Sequence, residues 1–177
     1  MNSKNDLRLL VDTIKDPRDM AELVHLVLAT NQNVEVTGNS ITHSHPKVAG
    51  QVNSWKPGFR QSPTMTHVHY SQSYLDKVRQ LKAEGYIIVG TSPNHGSSIF
   101  ETDLSKGRHV LVFGTEVGGL SREKMAVVDK MVKVPMLNET RFYTLRVIIP
   151  IIVHEVLRQK GFFGRPRINR ELFHFFL

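Results

Sequence analysis

The sequence predicts an α/β fold with a mainly parallel sheet flanked by helices, and three observations carry that expectation. Short continuous apolar runs, LRLLVDTI (7–14), YIIVG (86–90) and HVLVF (109–113), read as strands covered on both faces. Amphipathic stretches with helical spacing alternate with them, the pattern of strand–helix–strand units. The chain has 177 residues, 40% of them hydrophobic and 22% charged, which is ordinary for one globular domain and excludes wholesale disorder. Residues 1–177 therefore read as one domain, with 158–177 as a basic C-terminal extension.

In chain order, the first strand covers Leu7 to Ile14. Pro17 then opens a helix through Leu28, with Met20, Leu23, Val24, Val27 and Leu28 on one face. Asn33 to Thr37 is a second short strand. Residues 38–64 hold Gly38, Pro46, Gly50, Pro57, Gly58 and Pro63 with little periodicity, so they read as a long loop. A strand near His67 to Tyr70 precedes a helix from Ser73 to Glu84, stopped by Gly85. Ser121 opens a short helix and Met131 to Pro135 is a further strand. Thr144 to Lys160 is the longest helical stretch, which Pro150 should kink or delay.

The chain contains no cysteine, which removes disulfide scaffolds, thiol nucleophiles and cysteine-ligated zinc or iron–sulfur centres. The first residues, MNSKNDLR, carry no apolar core behind their charges, and the longest apolar run, from Val147 to Val153, is far short of the ~20 residues that span a bilayer. These features point to an intracellular, cytoplasmic protein without a membrane partner, an organelle being left open. The formal charge of +7 attracts polyanions, of which nucleic acid is the commonest.

The chemistry concentrates between His109 and Gln159. A strand runs into a Gly-rich turn, a short helix and a strand ending in Pro135-Met136. Ligands of open parallel sheets bind at the carboxyl ends of strands, where glycine lets the backbone approach them. Gly114, Gly118 and Gly119 are candidates for such a cradle, or plain turn residues. Neither a G-x-G-x-x-G dinucleotide fingerprint nor a G-x-x-x-x-G-K-[ST] phosphate loop is present.

FGTEVGGLS (113–121), VDKMVKVPML (128–137) and IIVHEVLRQ (151–159) together resemble the signature motifs of the SpoU (TrmH-like) branch of the SPOUT RNA 2′-O-methyltransferases. DPRDMAELVHLVLA (16–29) is similar to that family's first motif, and the tail GFFGRPRINREL looks most like the tRNA guanosine 2′-O-methyltransferase subgroup. The resemblance implies a SPOUT-type sheet with a C-terminal trefoil knot, a topology rare elsewhere. It implies S-adenosyl-L-methionine as cofactor, RNA (tRNA or rRNA) as partner, and a homodimer that completes the active site. At the matched positions the cofactor pocket would use Thr91, Gly114, Val134, Met136 and Tyr143, largely through backbone groups.

The catalytic positions depart from the family. Its catalytic Arg falls on His25, its Ser on Phe142 and its Asn on Thr144. A ribose 2′-hydroxyl needs a base or electrostatic assistance to react at neutral pH. His25 is a candidate base or a histidine satisfied on a helix face. Thr144 supplies a hydroxyl without an amide's two-ended geometry.

Other side chains carry two readings each. The pairs His43/His45 and His67/His69 offer imidazoles at strand spacing, without a carboxylate among them; hydrogen-bonded histidines are the plainer reading. Trp55, Lys56, Phe59 and Arg60 mix rings and cations, suited either to clamping an unpaired base or to tucking onto the domain. Arg158, Lys160, Arg165, Arg167 and Arg170 form a basic cluster for RNA phosphates or a solvated face. Glu116 and Glu155 read as structural, with no paired carboxylate. Three functions follow: a 2′-O-ribose methyltransferase with substituted catalytic residues, a catalytically silent RNA-binding or assembly protein, or a small-molecule binder that kept the pocket alone.

Overall fold

A computed structural model of the chain describes residues 6–55, 67–138 and 142–163. Within them lie β1 (Leu7–Asp12), α1 (Pro17–Thr30), β2 (Asn33–Thr37), α2 (Pro46–Trp55), β3 (Val68–Ser71), α3 (Tyr74–Ala83), β4 (Ile87–Thr91), β5 (Ser97–Ser98), β6 (His109–Phe113), α4 (Arg122–Met125), β7 (Lys130–Lys133) and α5 (Leu145–Gln159). The strands form one sheet in the order β3-β2-β1-β6-β4-β7-β5, and every strand pairing in it is parallel. Parallel pairing puts all strand carboxyl ends at one edge, which is where the candidate site forms.

Both faces of the sheet are covered. Leu9 and Val11 of β1 and Leu111 and Phe113 of β6 point into a core shared with α1, α2 and α5. Leu10 of β1 and Val110 and Val112 of β6 point the other way, onto Tyr74, Val78 and Leu81 of α3. This two-sided burial explains why β6 is an uninterrupted apolar run, since no position along it faces water.

The helix ends follow local chemistry. Asp16 caps α1 by accepting a 2.8 Å hydrogen bond from the Arg18 amide, Pro17 occupies the first helical turn, and the left-handed Asn31 (φ 54°) closes it. Ser73 caps α3 and Ser121 caps α4, each accepting from the amide three residues on.

Two local expectations need correcting, and one element was not foreseen. Part of the segment expected to be a loop is a helix, α2, because Val48, Ala49 and Val52 bury themselves against α1. Gly50, Asn53 and Ser54 on its other positions lower intrinsic helix propensity and hide that periodicity. The edge strand β5 is two residues long, too short to leave a pattern. Pro150 does not delay α5, which starts at Leu145 and runs through it, as burial of Ile149, Ile152 and Val153 in the core outweighs the missing amide. No helix among the described residues is long and apolar enough to cross a membrane.

Candidate active site at the carboxyl edge of the sheet

A cavity of about 280 Å³ opens where β4, β6 and β7 end. It is lined by residues 91–95 at the end of β4, residues 114–120 after β6, Met125 of α4, Val132, Lys133, Val134 and Met136 at the end of β7, and Phe142, Tyr143 and the first turns of α5. Thr91, Gly114, Val134, Met136 and Tyr143 all face this one space. Leu145, Ile148 and Ile152 give it an apolar wall, and Phe142 and Tyr143 stand at its rim, 54% and 38% exposed.

The turn after β6 is shaped by its glycines. A Cβ on Gly114 would lie 2.0 Å from the Gly119 carbonyl carbon, so only glycine lets the returning backbone pass. Gly119 itself has φ +62°, and its amide and carbonyl exchange hydrogen bonds with Thr115 at 2.9 and 3.0 Å. The Gly118 amide donates to Thr115 Oγ1 at 3.1 Å. Thr91 ties the neighbouring strand end in place by donating its hydroxyl to the Val112 carbonyl at 3.0 Å. Beyond the turn, Lys124 of α4 pairs with the buried Asp12 carboxylate at the end of β1 and lies 5.3 Å from the Tyr74 ring centre. That ion pair anchors the glycine turn to the centre of the sheet.

At the mouth sits an acidic group that the sequence reading missed. Asp16, Asp19 and Glu116 each bring a carboxylate oxygen within 4.8 Å of the others. Asp19 is only 4% exposed. Arg146 Nε approaches it to 2.8 Å, close enough for an ion pair but without hydrogen-bond alignment. Burial first, and then the adjoining Glu116, push the Asp19 carboxyl up to about 6, with Arg146 opposing. Asp16 goes the other way, down to about 2, because the side chain and backbone of Arg18 both hydrogen-bond to it. Glu116 is thus paired with a second carboxylate, contrary to the expectation that it stood alone. The spacing of Asp16 and Asp19 on the first turn of α1 was the available signal; nothing local connects them to Glu116. Glu155, by contrast, takes the structural role expected of it, bound by Arg158 and Gln159 at 2.8 Å each.

The remaining sequence candidates lie elsewhere. His25 is on the exposed side of α1, 4.0 Å from Glu22 and outside the cavity lining. Thr144 is the residue before α5 and makes no side-chain cap. Lys160 reaches the Gly107 carbonyl at 2.7 Å, and Arg158 sits on the last turn of α5. Gly107 precedes β6 whereas Gly114 follows it, so this basic pair belongs to the opposite edge of the sheet from the cavity. Arg60, Arg165 and Arg167, with Lys56, Phe59 and Arg170, lie outside the described residues. Neither pair of histidines joins a cluster of three ligand-bearing side chains among the described residues; His43 is held by the Tyr70 hydroxyl at 2.8 Å.

The family model for the SpoU rRNA methylases matches residues 6–143, which spans the sheet and the glycine turn. This chain belongs to the SpoU rRNA methylase family. Among SpoU relatives, a tRNA (guanosine(18)-2′-O)-methyltransferase of Thermus thermophilus is 26% identical over 176 residues, covering 95% of this chain and 84% of its own. The enzyme of the same name from Borreliella burgdorferi is 36% identical over 80 residues, which are 45% of this chain and 37% of that one. The solved SpoU methyltransferase AviRb from Streptomyces viridochromogenes, in complex with AdoMet, superposes with a TM-score of 0.72 at 23% identity, covering 89% of this chain and 61% of AviRb. The A. aeolicus TrmH/SpoU tRNA modifying enzyme gives 0.71 at 22% identity, covering 95% and 83%. These structures establish the shared SpoU fold. This chain spans 61% of AviRb, and of the Borreliella enzyme its matched segment covers a little over a third.

Proposed function

We propose that the cavity binds S-adenosyl-L-methionine and that the chain is a SpoU RNA 2′-O-ribose methyltransferase acting on tRNA or rRNA in the cytoplasm, with substituted catalytic residues. The observation that carries this reading is the meeting of Thr91, Gly114, Val134, Met136 and Tyr143 in one cavity. The cavity suits the cofactor's chemistry: an apolar wall for a purine, backbone edges freed by glycine, and the Glu116 carboxylate to face a cation. Bound there, S-adenosyl-L-methionine supplies an electrophilic methyl group on a sulfonium sulfur, which keeps the bonding pair when the methyl passes to a ribose oxygen.

The chain's own part is to orient and to take the proton. A 2′-hydroxyl brought to the mouth meets Glu116, the carboxylate among the ionisable side chains that line the cavity with His95 and Lys133, and the proton released as the O–C bond forms goes to that carboxylate. With His25, Phe142 and Thr144 at the family's catalytic positions, transfer should be slow, since losing one well-placed electrostatic group costs on the order of 10²–10³ in rate. A silent RNA-binding protein is the second reading, favoured by His25 lying outside the cavity and beside Glu22. Labelled methyl transfer to tRNA and rRNA transcripts, with Glu116→Gln and His25→Ala beside the parent, separates the two. Transfer lost in Glu116→Gln supports the enzyme. Transfer lost in His25→Ala instead makes the histidine the base, and no transfer by the parent supports the silent protein.

Assembly and topology belong to the same reading. Val147 is 44% exposed on α5, beside exposed Phe142 and Tyr143 and part-buried Ile148 and Ile151, an apolar surface that a second copy would cover. Light scattering should give a homodimer. The C-terminal trefoil knot expected of the SPOUT fold belongs to the same reading, supported by membership of the SpoU family.

A further inference from the structure

Beside the cavity runs a shallow groove of about 630 Å³, lined by Lys15, Asp16, Pro17, Arg18, Lys47, Gln51 and Glu116. Its cations come from separate places: Lys15 from the β1–α1 connection, Arg18 from the start of α1, Lys47 from the start of α2. All three are exposed. Asp16 is taken up by Arg18, whose guanidinium reaches both carboxylate oxygens. Lys15 donates to the Asn39 carbonyl, a neutral acceptor, and pairs with no carboxylate among the described residues. Lys47 pairs with no carboxylate among the described residues, and Gln51 follows it by one helical turn on the same face of α2. Glu116 lines both the groove and the cavity, so the two adjoin at that residue.

We propose that this groove binds the sugar–phosphate backbone of the RNA strand whose ribose enters the cavity. An open trough with two lysines that pair with no described carboxylate suits a chain of phosphodiesters rather than a compact ligand, which an enclosed pocket would hold better. A strand whose phosphates lie along Lys47 and Lys15 passes Glu116, the point where groove and cavity join. The side chains that contact it carry charge and an amide, so they hold backbone without selecting a base. The described basic residues Arg158 and Lys160 do not compete for this role, since they occupy the opposite sheet edge and are engaged by Glu155 and the Gly107 carbonyl.

The inference rests on the methyltransferase reading, and its test separates the two. Fluorescence anisotropy of a labelled tRNA transcript is measured against salt for the full chain, for Lys47→Ala, for Lys15→Ala/Lys47→Ala, and for Lys106→Ala. Lys106 precedes β6, and its removal makes the same single charge change as Lys47→Ala away from the groove. The double variant should bind RNA at least tenfold more weakly at physiological salt, and its slope of log K against log [salt] should flatten by about 1.4, the value for two phosphate contacts on a single strand. Lys106→Ala should match the parent. Calorimetric titration with S-adenosyl-L-methionine should be unchanged in every variant, which also certifies that each is folded. If loss of the Asn39 contact unfolds the double variant, Lys47→Ala alone decides, with half the change in slope. Parent-like affinity and slope in the groove variants would overturn the groove while leaving the function standing. A parent that binds cofactor but no RNA overturns the groove and the RNA partner; one that binds neither overturns the whole reading.

Discussion

Gly114 and Gly119 are packed backbone to backbone: a Cβ on Gly114 would lie 2.0 Å from the carbonyl carbon of Gly119 and 2.3 Å from the amide nitrogen of Leu120. Those are main-chain atoms, unable to swing aside as a flexible side chain could. The turn therefore closes over the end of β6 only when residue 114 is glycine, and the cavity's wall depends on that closure. Gly114→Ala should displace the 115–119 turn and abolish binding of S-adenosyl-L-methionine, while the sheet, whose core lies below the turn, still melts cooperatively. Calorimetry and thermal unfolding on one preparation read both effects.

Asp19 should make stability fall as the pH rises. Its folded carboxyl titrates at about 6, above the usual 3.8, chiefly because it is buried. Between those values the folded chain holds a proton that the unfolded chain has lost, so the contribution is favourable at low pH and is lost as pH rises through 6. Asp19→Asn should be more stable than the parent at pH 8, by on the order of 1–2 kcal/mol once the lost Arg146 pairing is discounted, and the advantage should fade toward pH 4. Urea unfolding across pH 4–8 checks it.

His109, at the start of β6, acts with the opposite sign. Burial, followed by the charges of Lys160 and Lys130, lowers it from 6.5 to about 4. The unfolded chain then takes up a proton first as the solution is acidified. Stability from the neutral imidazole is complete above about 6.5 and drains away toward 4, a loss of about 2 kcal/mol by pH 5. The difference between parent and His109→Leu should shift by that amount between pH 7 and 5, other groups cancelling. A pH-independent difference would show that the imidazole is not desolvated.

How much of this was legible in the sequence depended on where the determining contacts lie. The strand HVLVF was legible because both its faces are buried, which leaves five apolar residues in a row. Helix α3 was legible because Ser73 and Gly85 mark its ends. Helix α2 was not, since Val48, Ala49 and Val52 gain their meaning from packing on α1, while Gly50 and Asn53 argue locally for a loop. The cavity residues were placed by resemblance to the SpoU motifs, and the structure brings all five of them together. The grouping of Asp19 with Glu116 had no such signal: one is on the first helix, the other follows the sixth strand, and only the sheet order sets them side by side.

The cavity at the ends of β4, β6 and β7 is the proposed cofactor site. Calorimetric titration of the folded chain with S-adenosyl-L-methionine, with Gly114→Ala alongside, measures that directly. A saturable isotherm at one ligand per chain, absent in Gly114→Ala, is the expected result. No binding by the folded parent, or equal binding by Gly114→Ala, would contradict it.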